Sequence, residues 1–193
     1  FFGQTIHDFF GEFHVGVTMF FVLSGFLICN RYFHANDFSF KEYFLKRFAR
    51  IFPMYFILTT LTFLFFAFFH SQNSFEDLKI YFLNITFLRG FFDNIKFSGI
   101  AQGWSLTVEE VFYVLAPFLF FVLKKQKSLI FVLPIFFISL GFYFVRVFSQ
   151  QSEYGFMKSN DFMLDFTFFG RTAEFFIGIG LSLLMNKYKS KTE

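Results

Sequence analysis

The stretch "GWSLTVEEVFY", residues 103–113, sets two adjacent carboxylates, Glu109 and Glu110, at the head of an apolar run. On a helix, neighbouring side chains point roughly 100° apart, so the two cannot serve one purpose. Glu109 shares its face with Phe112 and Tyr113 at i+3 and i+4. A carboxylate turned into a helix bundle is a usable acid, base or hydrogen-bond acceptor. Glu110 instead follows Thr107 at capping-box spacing, in which hydroxyl and carboxylate satisfy orphan N–H groups reciprocally. Carboxylates in a first turn also suit the positive end of the helix dipole. The spacing predicts a cap for Glu110 and leaves Glu109 open between structure and chemistry.

Three further stretches carry polar groups where apolar ones are expected. In "FKEYFLKRFARIFPMY", residues 40–55, Arg47 and Arg50 stand at i and i+3 and can point into one pocket. Paired guanidinium groups suit a phosphate, since each offers a bidentate fork. The competing reading is that basic residues at an inner helix end set topology and touch anionic head groups. Pro53 falls near the start of the following span, where proline is tolerated. In "GVTMFFVLSGFLICNRYF", residues 16–33, the small residues Gly16, Ser24 and Gly25 permit close helix contact in lipid. In "FFGRTAEFFIGIG", residues 168–180, Arg171 and Glu174 lie at i, i+3 and should pair or line a wet cavity, with Asp165 nearby but not on the same turn. His7, His14, His34 and His70 form no metal-ligand spacing, so no metal site is expected.

The elements that would position these groups are membrane-spanning helices. The chain is 55% hydrophobic and 16% charged, against about 25% charged in ordinary soluble domains. It contains 43 Phe and one Trp, an excess for which folding supplies no reason. A single cysteine, Cys29, excludes an internal disulfide and a cysteine cluster, and a net charge of +3 without a basic patch excludes a nucleic-acid partner. Uncharged runs cover Phe13–Asn30, Ile51–Phe75 and Ser128–Val145. Each is near the length a spanning helix needs, about 20 residues. Two charge-interrupted candidates, about 104–123 and 162–186, bring the expected count to five. The fold class expected is all-α, a polytopic transmembrane helix bundle.

Charge between the spans sets their direction. Segments 31–50, 124–127 and 187–193 hold eleven Lys or Arg, and the alternate segments 71–102 and 146–161 hold five. The first group is therefore inner, and the first span runs from outside to inside. That leaves "FFGQTIHDFFGEF" on the outer side with neither a basic start nor a cleavage site, so one or more upstream helices are expected. Segment 71–102 is the longest connection, and its clusters "IYFLNITFL" and "GFF" predict a short re-entrant or interfacial piece. The Asn84-Ile85-Thr86 sequon carries no weight.

The order "FFVLSGFLI", "KRFARIFPMY", "GWSLTVEEVFY", "GRTAEFFIG" resembles acyltransferase family 3, integral-membrane O-acyltransferases of cell-envelope and exported glycans such as lipopolysaccharide and peptidoglycan. The resemblance runs from about Gly16 to Leu184. It implies one membrane acyltransferase domain over residues 1–193, N- and C-terminally incomplete, in the bacterial cytoplasmic (inner) membrane. It implies acyl-CoA, commonly acetyl-CoA, as donor, a carbohydrate hydroxyl as acceptor, membrane lipid around it and no metal. Arg47 and Arg50 match the family's Arg-x-x-Arg and, with Ser24, are the donor-binding candidates. Glu109 and Tyr113 match Trp-Ser-Leu-x-x-Glu-x-x-Phe-Tyr behind Trp104. Together with Arg171 and Glu174, they are the catalytic candidates. The family also carries an Arg and a catalytic His in the helix before "FFVLSGF". No Arg precedes Arg31 here, so that His is expected upstream of residue 1 and the stretch alone is expected to be inactive. The rival reading is a transporter or channel subunit, with Glu109, Arg171 and Glu174 along a solute or proton path.

Overall fold

The computed structural model describes residues 2–33, 35, 39–69, 74–150 and 153–192, with side chains for 15–33, 35, 39–69, 76–150 and 153–188. Among these residues seven helices follow in order: α1 (Phe2–Tyr32), α2 (Phe40–Phe69), α3 (Ser74–Ile85), α4 (Trp104–Lys125), α5 (Leu129–Phe148), α6 (Asn160–Phe166) and α7 (Phe168–Thr192). Among the described residues, five stretches are long and apolar enough to cross a membrane: Val15–Tyr32, Phe40–Phe69, Ala101–Lys125, Leu129–Phe148 and Asn160–Tyr188. They match the five spans expected from the gaps between charges. Large apolar side chains such as Phe65, Phe118, Phe131 and Ile135 remain exposed on their outer faces. In a bilayer these are the lipid-facing residues, and an aromatic-rich chain is stable there because lipid is as apolar as a core.

The bundle is organised around the pair α1 and α7. Gly25 faces the backbone of Phe175 so closely that a Cβ there would overlap the carbonyl, and Gly178 meets Val22 and Phe26 in the same way. Between these two contacts Phe21 and Phe175 pack at 4.9 Å, and Phe175 stacks on Phe112 of α4 at 4.2 Å. The main core thus joins α1, α4 and α7 through Phe21, Phe112, Phe168, Phe175 and Ile179. Gly25 behaves as the small-residue reading predicts. Gly16 does not, because a Cβ there would meet nothing within 4 Å among the described residues.

Two expectations about helix continuity are corrected. The last span is broken at Thr167, which takes an extended conformation (φ −116°, ψ 160°) between α6 and α7. Thr167 bonds back to the Met163 carbonyl at 2.6 Å, and Gly170 lies against the Leu164 backbone with no room for a Cβ. Ser159 caps α6 by accepting from Phe162 N at 3.1 Å. Pro53 is not near a helix start, because α2 begins at Phe40, where Ser39 Oγ accepts from Glu42 N at 3.4 Å. The long connection 71–102 forms α3, then three 3-10 turns at Arg89–Phe91, Asp93–Ile95 and Ala101–Gly103.

The α1–α7 contact generates a contrast. Gly178→Ala should lower the yield of monodisperse protein extracted from membranes and its thermal stability, by the roughly 1–3 kcal/mol of an overpacked contact. Gly16→Ala should leave both unchanged. Detergent-phase size exclusion and thermal unfolding of the two variants read the difference.

Candidate functional site

The site is built on the first two turns of α4, and the way that helix starts decides what its carboxylates do. A 3-10 turn at Ala101–Gly103 leads directly into Trp104, and the cap residue Gly103 offers no side chain. Thr107 is therefore already inside the helix. Its hydroxyl accepts from Gly90 N at 3.3 Å, tying the preceding loop to α4. The capping box expected of Thr107 and Glu110 is thus overturned: the chain turns helical four residues earlier than the box requires. Glu110 is half-buried, and its Oε1 has no hydrogen-bond partner among the described residues.

Glu109 is buried between α1 and α4. Its Oε1 accepts from Ser24 Oγ at 2.8 Å and from the Tyr113 hydroxyl one turn along. Its Oε2 is buried and has no partner among the described residues. One carboxylate oxygen is therefore fixed by two hydroxyls and the other still has acceptor capacity. Ser24 reaches Glu109 because Gly25, next to it, lets α1 sit close to the bundle core. Its side chain is committed to that carboxylate rather than presented to a donor molecule.

The two arginines diverge. Arg47 is half-buried and lies over the rings of Tyr113, at 5.2 Å, and Tyr32, at 6.0 Å, while Arg50 is exposed. Beside them, Tyr43 donates from its hydroxyl to the Tyr113 carbonyl at 3.1 Å. That bond has a sequence cause. Pro117 stands four residues after Tyr113 and has no N–H, so the Tyr113 carbonyl loses its helical partner and α2 supplies another.

Arg171 and Glu174 do not join this cluster. Arg171 Nη1 donates to Glu174 Oε1 at 2.8 Å, and Thr18 Oγ1 donates to the same oxygen at 3.0 Å. Arg171 Nε donates to the Asp165 carbonyl at 2.8 Å, so the guanidinium also caps the end of α6. Asp165 thus contributes its backbone, not its carboxylate. Thr18 and Ser24 are about 9 Å apart along α1, and Phe21, packed on Phe175, lies between them in the chain. An aromatic layer separates two polar clusters that the sequence groups together.

The largest fully buried side chain, Arg89, is one that sequence reasoning missed. Its Nη1 donates to Asn84 Oδ1 at 2.7 Å and its Nη2 to the Ile100 carbonyl, in space that Gly103 leaves free by having no Cβ. Burial holds this guanidinium below its ordinary range, and neighbouring Tyr55 opposes the shift. Tyr55 donates to the Asn84 carbonyl at 3.1 Å, and the Asn84 amide donates to Ile80 and Ser98. The lone cation in "FLRGFF" was the available signal. Because Asn84 is buried, the sequon around it is inaccessible as folded. The side chains of His7 and His14, and all of His34 and His70, lie outside the described residues. Among the described residues no three His, Cys, Asp or Glu are grouped closely enough to hold a metal ion.

Five spanning helices around a buried, hydroxyl-bound carboxylate describe an integral membrane protein with a polar site inside its bundle. The chain belongs to acyltransferase family 3: the family's acyltransferase-domain model matches residues 2–193. Among similar proteins, the peptidoglycan O-acetyltransferase OatA of Listeria monocytogenes is 30% identical over 129 residues, covering 59% of this chain and 21% of OatA. Nodulation protein 10 of Rhizobium leguminosarum is 28% identical over 130 residues, covering 58% of this chain and 34% of that protein. An uncharacterised protein of Haemophilus influenzae is 28% identical over 155 residues, covering 74% of this chain and 62% of its own length. The chain thus spans less than two thirds of each of these relatives. No solved structure matches it.

The Pro117–Tyr43 relation is testable. Tyr43→Phe should leave the Tyr113 carbonyl buried and unpaired, costing about 1–3 kcal/mol. Adding Pro117→Ala, which restores the N–H, should recover much of that loss. Thermal unfolding of the two single variants and the double variant measures the coupling.

Proposed function

We propose that this chain forms part of an integral membrane O-acyltransferase that moves an acyl group, most simply acetyl, from acyl-CoA to a hydroxyl of a cell-envelope or exported carbohydrate. The observation that carries the reading is Glu109, buried, fixed through one oxygen by Ser24 and Tyr113, its other oxygen without a partner among the described residues, and Arg47 lying over the Tyr113 ring. Membership of the family supports the reaction class. The relative OatA, by its name a peptidoglycan O-acetyltransferase, supports a carbohydrate acceptor. The basic segment 31–50, inner by charge, supports a phosphate-bearing donor arriving from the cytoplasmic side of a bacterial inner membrane.

In this reading the acceptor oxygen attacks the thioester carbonyl, a new C–O bond forms, the C–S bond breaks, and coenzyme A leaves as a thiol. A general base takes the hydroxyl proton, the role the resemblance assigns to a histidine. Glu109 orients the reacting hydroxyl or that base through Oε2, because Oε1 already carries two donors. Arg47 holds donor phosphate by its guanidinium while its stacking on Tyr113 keeps it aligned with the site. Arg171 and Glu174 neutralise each other and set the α6–α7 turn, so their contribution is to position α7.

Membranes carrying the whole protein, incubated with radiolabelled acetyl-CoA, provide the test. Glu109→Gln should reduce acyl transfer on the order of 10²-fold or more while the amount of inserted protein stays level. Normal turnover in that variant would remove Glu109 from the mechanism. Solute flux without thioester consumption would replace the transferase with a transport path.

A further inference from the structure

Arg89 is a buried guanidinium that no carboxylate pairs with among the described residues, and its Nε has no hydrogen-bond partner there. Keeping a charge out of water on two neutral acceptors, Asn84 Oδ1 and the Ile100 carbonyl, costs stability that an apolar side chain would not. What the guanidinium does is hold three segments at one point. Asn84 belongs to α3, Ile100 leads into α4, and Tyr55 of α2 donates to the Asn84 carbonyl at 3.1 Å. Three glycines make room for this knot. A Cβ on Gly103 would overlap Arg89 Nη2, one on Gly90 would overlap the Thr107 side chain, and Gly99, at φ +61°, lies against Asn84 Oδ1.

The knot lies at one end of the contact between α2 and α4, and the bond from Tyr43 to the Tyr113 carbonyl lies at the other. Tyr43 and Tyr55 are about 18 Å apart along α2, with Arg47 between them in the chain. On α4, Glu109 likewise falls between Gly103, at the knot, and Tyr113. Two fixed ends set the register of two antiparallel helices. We propose that Arg89 is a positioning residue for acyl transfer: by fixing the start of α4 against α2 and α3, it holds Glu109 in register with Arg47. This role rests on the reaction proposed above. Arginine suits it because a planar fork reaches two acceptors in fixed directions, which a lysine ammonium does not reproduce. A misplacement of about 1 Å at a reacting group costs on the order of 10²-fold in rate.

Steady-state kinetics of the whole protein in nanodiscs, with acetyl-CoA varied, test this beside hydrogen exchange on the same samples. Arg89→Lys should lower kcat by about tenfold or more and leave KM for acetyl-CoA within about twofold, because Arg47 is intact. Gly103→Ala should do the same, since its methyl takes the space of the guanidinium. The double variant should be no worse than the more affected single one. In Arg89→Lys the amides of residues 103–110 should exchange about tenfold faster, while those around Gly141 and Gly178 keep their rates. Unchanged kcat in both single variants overturns the proposal. So does a rise in KM at constant kcat, which would place Arg89 in donor binding, and so do losses that multiply fully in the double variant. Faster exchange throughout the bundle, with kcat and inserted protein falling together, overturns it as well by reducing Arg89 to a stability element. A wild-type protein that consumes no acetyl-CoA, with α4 still loosened locally in Arg89→Lys, removes the proposed reaction itself and the positioning role with it.

Discussion

Two glycines hold the positions of most other groups in this molecule. Gly25 and Gly178 let α1 and α7 approach backbone to backbone, at distances where even an alanine methyl would overlap main-chain atoms. In lipid, helices gain little from hiding apolar side chains, so association depends on close packing and hydrogen bonding. From this contact two consequences follow along α1. Ser24, beside Gly25, reaches Glu109 on α4, and Thr18 reaches Glu174 on α7. A wider α1–α7 spacing would leave both carboxylates buried without these hydroxyls, at the cost that unsatisfied charge carries in a low-dielectric interior.

The same need to satisfy polar groups explains where the backbone departs from ideal helices. Pro117 frees the Tyr113 carbonyl and Tyr43 occupies it; the α6–α7 break frees the Asp165 carbonyl and Arg171 occupies it. Each departure is matched by a side chain from elsewhere in the bundle. Of the two, Tyr43 is a neighbour of the candidate site, so the bond that repairs α4 also helps to align its residues. Tyr113 shows this most directly. Its carbonyl binds Tyr43, its hydroxyl binds Glu109, and its ring underlies Arg47.

The Phe21, Phe175 and Phe112 rings lie between two polar clusters of different make-up. The Arg171–Glu174 pair is close to neutral as a unit and is tied into a turn. The Glu109 carboxylate is held instead by two hydroxyls, with Arg47 over the ring of one of them, Tyr113; in each cluster one carboxylate oxygen has no hydrogen-bond partner among the described residues.

Span number, all-α class and family were legible in the sequence, because hydropathy and the order of short motifs are properties of the chain itself. So were the shared face of Glu109 and Tyr113, which follows from helical spacing, and the close-packing value of Gly25. The start of α4 was not, because the loop ahead of it becomes helical against Arg89, a residue distant in sequence from the motif it supports. Nor was the separation of Glu109 from Arg171 and Glu174, since composition cannot say which aromatic rings fall between two charges. Local spacing determines which side chains share a helical face. Only the packed bundle decides which faces meet, because that depends on where backbones can touch and where a freed carbonyl finds its donor.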